Sequence, residues 1–156
     1  MIHMKIVAQN VLEAYVKIDG EIYSKIGLGY MVLVSFTNGD NEEICEKMAN
    51  KLVNLRVFPD ENNKTNLSIK DINGSILSIS QFTLYADCHK GNRPSFVINC
   101  LNPNEATKLY DYFNKCLENH GISVKTGVFG ADMKVGLIND GPFTTILDSK
   151  ELFKWK

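Results

Sequence analysis

Short runs of apolar, β-branched and aromatic residues, separated by turn residues, dominate the pattern of this chain. Such runs are typical of β-strands. One of them, residues 30–36, is apolar almost throughout, as expected for a strand that is buried on both faces. The nine β-type runs predict about eight strands and cover residues 5–11, 13–18, 21–26, 30–36, 67–71, 75–84, 122–129, 132–138 and 143–147.

Two dipeptides between these runs predict hairpins. Asp19-Gly20 separates the runs 13–18 and 21–26, and Asn73-Gly74 separates the runs 67–71 and 75–84. Asp-Gly and Asn-Gly suit the two central positions of a type I′ turn, where both residues need positive φ. We therefore expect the strands to pair mainly in antiparallel fashion.

Two longer segments repeat apolar residues at helical spacing. The first begins near Asp40, a capping residue that is followed three positions later by Glu43. The second covers about residues 104–120 and is bounded by Pro103 and Gly121. The sequence thus predicts an α+β fold, a mainly antiparallel curved sheet or β-barrel-like domain with two amphipathic helices packed on it. Residues 1–156 are expected to form one domain.

The composition, with 44% hydrophobic and 22% charged residues, is ordinary for a soluble globular protein, and no apolar run is long enough to span a membrane. The four cysteines lack CxxC spacing, and Cys45 and Cys116 fall among apolar helix positions. Free buried thiols are therefore expected, which favours a reducing, cytoplasmic location. With 17 basic and 18 acidic residues the net charge is −1. General nucleic-acid binding, including DNA binding, is not expected of such a chain.

The familiar catalytic signatures are missing from the sequence, which has no Walker loop, GxSxG elbow or HExxH. His3, His89 and His120 lie at a terminus, in a loop and at a helix end, without an evident partner for acid–base chemistry. No metal and no cofactor are expected.

One candidate for chemistry is the segment Ser80-Gln81-Phe82-Thr83 at the end of a predicted strand. Alternation along a strand would place Ser80 and Phe82 on one face, and Gln81 and Thr83 on the other. Thr83 is then a candidate nucleophile or hydrogen-bonding group, and nearby backbone N–H groups could hold an oxyanion. A threonine nucleophile requires an activating base, and no sequence neighbour supplies one.

The second candidate is Asn139-Asp140-Gly141-Pro142-Phe143-Thr144, which lies between two β-type runs. Proline cannot donate a hydrogen bond to a β ladder, so a Gly-Pro pair is unusual there. One interpretation is a tight turn that opens the last strand. The other is a rigid dipeptide that presents its backbone carbonyls to a ligand.

Together, these two motifs resemble the D-aminoacyl-tRNA deacylase family. The resemblance extends over nearly the whole chain and includes Gly91-Asn92-Arg93-Pro94-Ser95-Phe96 and Phe129-Gly130-Ala131-Asp132-Met133. The chain departs from the family pattern at Cys88 and His89, where threonine and arginine are common.

The resemblance implies a β-barrel-like homodimer, without a cofactor, that hydrolyses the ester between a D-amino acid and tRNA and rejects L-aminoacyl-tRNA. Glycyl-tRNA would also be a substrate. Gly141-Pro142 would be a cis pair that enters the partner's pocket. The implied roles are catalysis for Ser80, Gln81, Phe82 and Thr83, substrate binding and chirality for Phe129, Ala131, Met133, Gly141, Pro142 and Thr144, and tRNA binding for His89, Lys90 and Arg93.

Two routes for the chemistry remain open from the sequence. Thr83 could attack the ester, or the protein could position the substrate and hold the oxyanion while the 2′-hydroxyl of the RNA helps to activate water. The missing base favours the second route. The alternative function is a non-catalytic dimeric barrel that binds RNA or D-amino acids.

Overall fold

A computed structural model describes residues 3–96 and 101–153 of the chain. The strands are β1 (Lys5–Ile18), β2 (Glu21–Ile26), β3 (Gly29–Ser35), β4 (Phe58–Pro59), β5 (Thr65–Leu67), β6 (Ser75–Ser80), β7 (Ser123–Thr126) and β8 (Lys134–Asp148). The helices are α1 (Glu42–Asn54), a 3₁₀-helix (Phe82–Tyr85), α2 (Pro103–Asn119) and the short α3 (Ser149–Leu152).

The main sheet is a curved, mixed sheet in which the long strand β1 is central. β1 pairs antiparallel with β2 and β3 along one edge and with β8 along the other. β3 continues the sheet through parallel pairing with β6, which pairs in parallel with β7. The Ser24 hydroxyl on β2 donates to the Thr126 carbonyl on β7 at 2.8 Å, so the sheet is nearly closed. These features confirm the predicted α+β, barrel-like class, to which the structure adds parallel pairs.

The two faces of the sheet bury two separate cores. Val32 and Val34 of β3 point towards α1 and α2 and pack with residues such as Met48 and Phe113. Met31, which alternates with them, packs in the second core inside the curve of the sheet. β3 is therefore buried on both faces, as the apolar run 30–36 predicts.

The cysteines that fall in the helices are buried free thiols, as the sequence indicates. Cys45 of α1 and Cys116 of α2 lie in the core between the helices and the sheet, and Cys88 is an exposed free thiol. Burial raises the pKa of both buried thiols, because a thiolate is poorly solvated there. Cys100 lies outside the described residues.

The Asp19-Gly20 hairpin is confirmed, with positive φ at both residues between β1 and β2. The Asn73-Gly74 hairpin is wrong. Asn73 does have positive φ, but it closes a turn that leads into β6, and β6 pairs in parallel with β3. The expected strand 67–71 is largely turn, and β5 pairs with β4 in a separate two-stranded sheet.

Other strand and helix boundaries differ from the predicted ones, because side-chain hydrogen bonds and tertiary contacts outweigh the local sequence pattern. The runs 5–11 and 13–18 form one strand, as do 132–138 and 143–147, while the run 122–129 shortens to β7. Asn41, not Asp40, caps α1 through a 3.0 Å bond from the Ile44 N–H. Asp40 instead accepts hydrogen bonds from the N–H groups of His3 and Thr37.

Candidate active site

A cavity of about 520 Å³ lies where β6 ends and α2 begins. Three of the residues predicted for the site, Ser80, Phe82 and Phe129, line it together. The remaining lining residues come from β3 and the segment after it, from the chain near α2 and from the turn after β7: Ser35, Phe36, Phe96, Leu101, Asn102, Pro103, Ala106 and Gly130. Its walls are mostly apolar with a few polar groups, the composition of a small-molecule site.

The segment after Ser80 leaves the sheet and forms the 3₁₀-helix. The Gln81 N–H makes the last bond to β3, donating to the Val34 carbonyl at 2.8 Å. The Ala86 N–H then donates to the Thr83 carbonyl at 3.0 Å, which closes the helical turn. The expected strand alternation over residues 81–83 is therefore wrong. Phe82 is 57% exposed, and its ring lies edge-on to Phe96 at 5.2 Å between centroids.

Gln81 and Thr83 are paired by their side chains. The Gln81 Nε2 donates to the Thr83 hydroxyl oxygen at 2.5 Å, and Thr83 is exposed. Within residues 3–96 and 101–153, no histidine, lysine or carboxylate hydrogen-bonds to this hydroxyl. The arrangement orients the hydroxyl but contains no base that would take its proton.

Of the three residues after β7 that are predicted for substrate binding, Phe129 lines the cavity, and Ala131 and Met133 are not among the lining residues. The Phe129 ring lies 6.3 Å from that of Tyr110, a buried residue of α2 whose hydroxyl donates to the Ser78 carbonyl at 2.6 Å. Burial raises the pKa of Tyr110, so this hydroxyl remains a donor. The Ala131 N–H closes the turn on the Val128 carbonyl. Met133 packs against the second core and covers Gly127, where a Cβ would lie 2.3 Å from the Met133 sulfur.

Gly141 and Pro142 are exposed, and the peptide bond between them is cis, as the resemblance implied. They lie in a bulge of β8, because Asn139 pairs with Val11 and the next paired residue, Thr144, faces Gln9. The Gln9 amide also donates to the Thr144 hydroxyl at 3.4 Å. The dipeptide therefore lies within β8 and does not begin a new strand. The interpretation as a tight turn that opens the last strand is wrong.

The structure does not bring this bulge to the cavity of the same chain. β8 carries the bulge, β6 leads to Ser80, and β1 and β3 lie between them in the sheet. Three inter-strand steps of about 4.8 Å separate the two strands, roughly 14 Å across the sheet. The bulge and Ser80 also lie at different heights along the strands. Thr144 is opposite Gln9 of β1, which is opposite Met31 of β3, which is opposite Leu77 of β6. The end of the bulge is therefore level with a residue three positions before Ser80.

His89, Lys90 and Arg93 are exposed on one loop. Two backbone bonds between Asp87 and Ser95 close its base, at 2.7 and 2.9 Å. The His89 N–H also donates to the Asp87 carboxylate at 3.0 Å. In the part of the chain that the structure describes, no cluster of three or more histidines, cysteines or acidic residues could bind a metal ion.

The model of a family described as D-Tyr-tRNA(Tyr) deacylase matches residues 7–148. The chain belongs to this family of D-aminoacyl-tRNA deacylases. It is 54% identical to the D-aminoacyl-tRNA deacylase of Lactobacillus acidophilus, over 93% of this chain and 99% of the relative. It is 50% identical to the D-aminoacyl-tRNA deacylase of Bacillus cytotoxicus, over 94% of this chain and 100% of the relative.

Two solved structures have a similar fold. One, named c-Myc DNA Unwinding Element Binding Protein, has a TM-score of 0.85 at 39% identity and covers 92% of this chain and 97% of its own. The other, described as a probable eukaryotic D-amino acid tRNA deacylase, has a TM-score of 0.83 at 18% identity and covers 94% and 99%. Among the described residues, none of the helices has both the length and the apolar character needed to cross a membrane.

Sequence reasoning missed several residues that shape the site. Phe36 and Ala106 line the cavity but were assigned only to a buried strand and to a helix core. Asn139, which holds the bulge, is marked in the sequence only as part of the second motif, and Tyr85, which ends the 3₁₀-helix, is not part of either motif. Buried polar groups within apolar strands, such as Asn10, are the signal that could have drawn attention to the bulge, because a buried amide needs partners.

Proposed function

We propose that this chain is a cytoplasmic homodimer that hydrolyses the ester of D-aminoacyl-tRNA, releasing a D-amino acid and tRNA, and that it also accepts glycyl-tRNA. The observation that supports this proposal is that the two motifs lie in separate places on one chain. One motif lines a cavity, while the other is displayed on a bulge that the same chain cannot bring to that cavity. A second copy would supply the bulge to each cavity.

The surface around β8 supports association with a second copy. Among the described strands only β1 pairs with β8, so the second edge of this 15-residue strand is open. Ile138 and Ile146 of β8 are 48% and 71% exposed, and Leu12 of β1 is 46% exposed. An open edge flanked by exposed apolar side chains favours pairing with another chain.

Chirality would be set by backbone atoms of the bulge. D- and L-amino acids differ by exchange of the hydrogen and the side chain at one carbon, so rigid atoms placed against the L side chain exclude it. The carbonyls of Gly141 and Pro142 suit this task, since they belong to the main chain. Glycine has hydrogen at both positions, and steric exclusion cannot reject it, which leads to the proposed activity on glycyl-tRNA.

The chemistry that fits these residues is attack by water assisted by the RNA. Water adds to the ester carbonyl, the tetrahedral intermediate collapses, and the ribose oxygen leaves with a proton. Backbone N–H groups beside Thr83 would stabilise the negative oxygen, which is commonly a large contribution to acyl transfer. The 2′-hydroxyl of the terminal adenosine would help to activate the water by hydrogen bonding to it and orienting it towards the carbonyl carbon. The Gln81–Thr83 pair then serves to position the substrate.

The loop of His89, Lys90 and Arg93 would contact tRNA phosphates. All three side chains are exposed, and Lys90 and Arg93 make the loop locally basic in a protein of net charge −1. Cations that neutralise phosphates release bound counterions, which makes such binding sensitive to salt. Recognition of the amino acid would remain with the cavity and the bulge.

The direct test is to follow ester loss from matched D- and L-aminoacyl-tRNA, with the oligomeric state measured by light scattering. We expect rapid loss of the D ester, persistence of the L ester and a mass of twice the chain. Binding of D-aminoacyl-tRNA without ester loss would instead establish the non-catalytic barrel, and full activity as a monomer would exclude the shared site.

A further inference from the structure

The bulge of β8 leaves one carbonyl of β1 without a ladder partner. Asn10 lies between Gln9, which pairs with Thr144, and Val11, which pairs with Asn139, so no residue of β8 stands opposite Asn10. Asn10 is only 4% exposed. A buried carbonyl at this position needs a hydrogen-bond donor from elsewhere.

The Asn139 side chain supplies that donor and also closes the bulge. Its Nδ2 donates to the Asn10 carbonyl at 3.1 Å and to the Phe143 carbonyl at 3.0 Å. Its Oδ1 accepts from the Phe143 N–H at 2.9 Å. Carbonyls can only accept and an N–H can only donate, so these partners fix the orientation of the amide.

The base of this arrangement is itself anchored. The Asn10 side chain donates to the Val57 carbonyl at 2.9 Å, which connects β1 to the chain just before β4. The backbone on both sides of Gly141-Pro142 is therefore tied, through Asn139 and Asn10, to a buried part of the molecule. The dipeptide itself remains exposed.

We propose that Asn139 is a positioning residue for selectivity: its amide fixes the bulge so that the backbone of Gly141 and Pro142 faces the substrate in the orientation that excludes L-amino acids. This inference rests on the proposed function of the bulge. Asn139 contacts no substrate in this scheme, and its effect reaches the substrate only through the bulge backbone.

The test compares Asn139→Asp with the same exchange at an exposed position away from the site, Asn62→Asp in the loop between β4 and β5. Asn139→Asp replaces the two N–H donors by a carboxylate oxygen facing two carbonyl oxygens, which disfavours the closed bulge. We expect the ratio of kcat/KM for D- over L-aminoacyl-tRNA to fall at least about tenfold, equivalent to about 1.4 kcal/mol. Asn62→Asp should keep the wild-type ratio. A folded Asn139→Asp enzyme with the wild-type ratio would overturn the proposal.

A second readout does not depend on catalysis. The Phe143 amide should exchange with solvent slowly in the wild-type protein, because it is bonded to Asn139. Asn139→Ser, which is too short to span the bulge, should accelerate this exchange about tenfold or more, and Asn62→Ser should not. If the Phe143 amide exchanged at the wild-type rate in Asn139→Ser, Asn139 would not fix the bulge, and the proposal would be refuted even if Asn139→Asp failed to fold. Absence of any D-aminoacyl-tRNA hydrolysis by the wild type would instead refute the proposed function.

Discussion

The hydroxyl of Tyr85 donates a hydrogen bond to the backbone carbonyl of His3. Tyr85 is the last residue of the 3₁₀-helix that contains Phe82 and Thr83, and its ring is buried. His3 immediately precedes the buried Met4, which leads into β1. This bond attaches the segment of the candidate active site to the beginning of the central strand, although the two residues are 82 positions apart in the sequence.

Removing this hydroxyl should lower both stability and activity. We expect Tyr85→Phe to lower the free energy of unfolding by about 1 kcal/mol, the usual net value of one hydrogen bond. It should lower kcat/KM on D-aminoacyl-tRNA several-fold, because the 3₁₀-helix is less firmly placed. Tyr112→Phe is the matched control, since the Tyr112 hydroxyl bonds to Glu46 on the helix surface. Equal effects of the two variants on kcat/KM would contradict this role of Tyr85.

Adding a methyl group at Gly141 should disturb the bulge. Gly141 has a φ of +140°, which L side chains rarely adopt, and a Cβ there would lie 2.9 Å from the Phe143 nitrogen. We expect Gly141→Ala to increase hydrolysis of L-aminoacyl-tRNA relative to the D ester, measured as the ratio of kcat/KM values. Gly20→Ala is the control, because Gly20 also has positive φ but has open space around it in the β1–β2 turn. A wild-type ratio in a folded Gly141→Ala protein would speak against the bulge as the chiral filter.

The basic loop should contribute to the salt dependence of tRNA binding. Replacing Lys90 and Arg93 together by alanine removes two phosphate contacts and should reduce the slope of log K against log salt by about 1 to 2. Replacement of Lys51 and Lys115, exposed lysines of α1 and α2, provides a charge-matched control. If the slope of log K against log salt were the same for the two double variants, this loop would not contact the tRNA.

Thr83 and the RNA hydroxyl can be separated by paired changes. If the RNA assists, Thr83→Ala should keep kcat within about tenfold, while a terminal 2′-deoxyadenosine should lower it about a hundredfold or more. The reason is that only Gln81 hydrogen-bonds to the Thr83 hydroxyl among the described residues, and an amide is not a base. An acyl-enzyme trapped on Thr83, or a folded and tRNA-binding Thr83→Ala protein without activity, would establish the nucleophilic route.

Local patterns in the sequence predict the elements that depend on neighbours in the chain. The Asp19-Gly20 hairpin, the doubly buried β3 and the two amphipathic helices all have such patterns. The parallel pairing of β6 has none, because an Asn-Gly turn can precede a parallel strand as well as complete a hairpin. The Phe82–Tyr85 segment has strand-like composition but forms a helix, whose buried Tyr85 is fixed by the distant His3.

The motifs predict which residues belong to the candidate site but not its geometry. The family resemblance assigns Ser80, Phe82 and Phe129 to one site, and these three residues line one cavity. The sequence could not show that β8 continues past Gly141 and Pro142, because the Asn139 side chain replaces the ladder bonds that the bulge removes. Nor could it show that two strands separate the motifs within one chain, since that follows from sheet order.

The central claim is that each site combines the cavity of one chain with the bulge of another. It is tested most directly with a purified heterodimer of two differently tagged chains, one carrying Gly141→Ala and the other Ala106→Trp, which fills the cavity with an indole. In this heterodimer the only open cavity belongs to the Gly141→Ala chain and faces the unaltered bulge of its partner. The account predicts about half the D-aminoacyl-tRNA hydrolysis of the wild-type dimer with the wild-type ratio of D to L hydrolysis. A heterodimer with the altered ratio of the Gly141→Ala homodimer would show that cavity and bulge act within one chain, and would contradict the account.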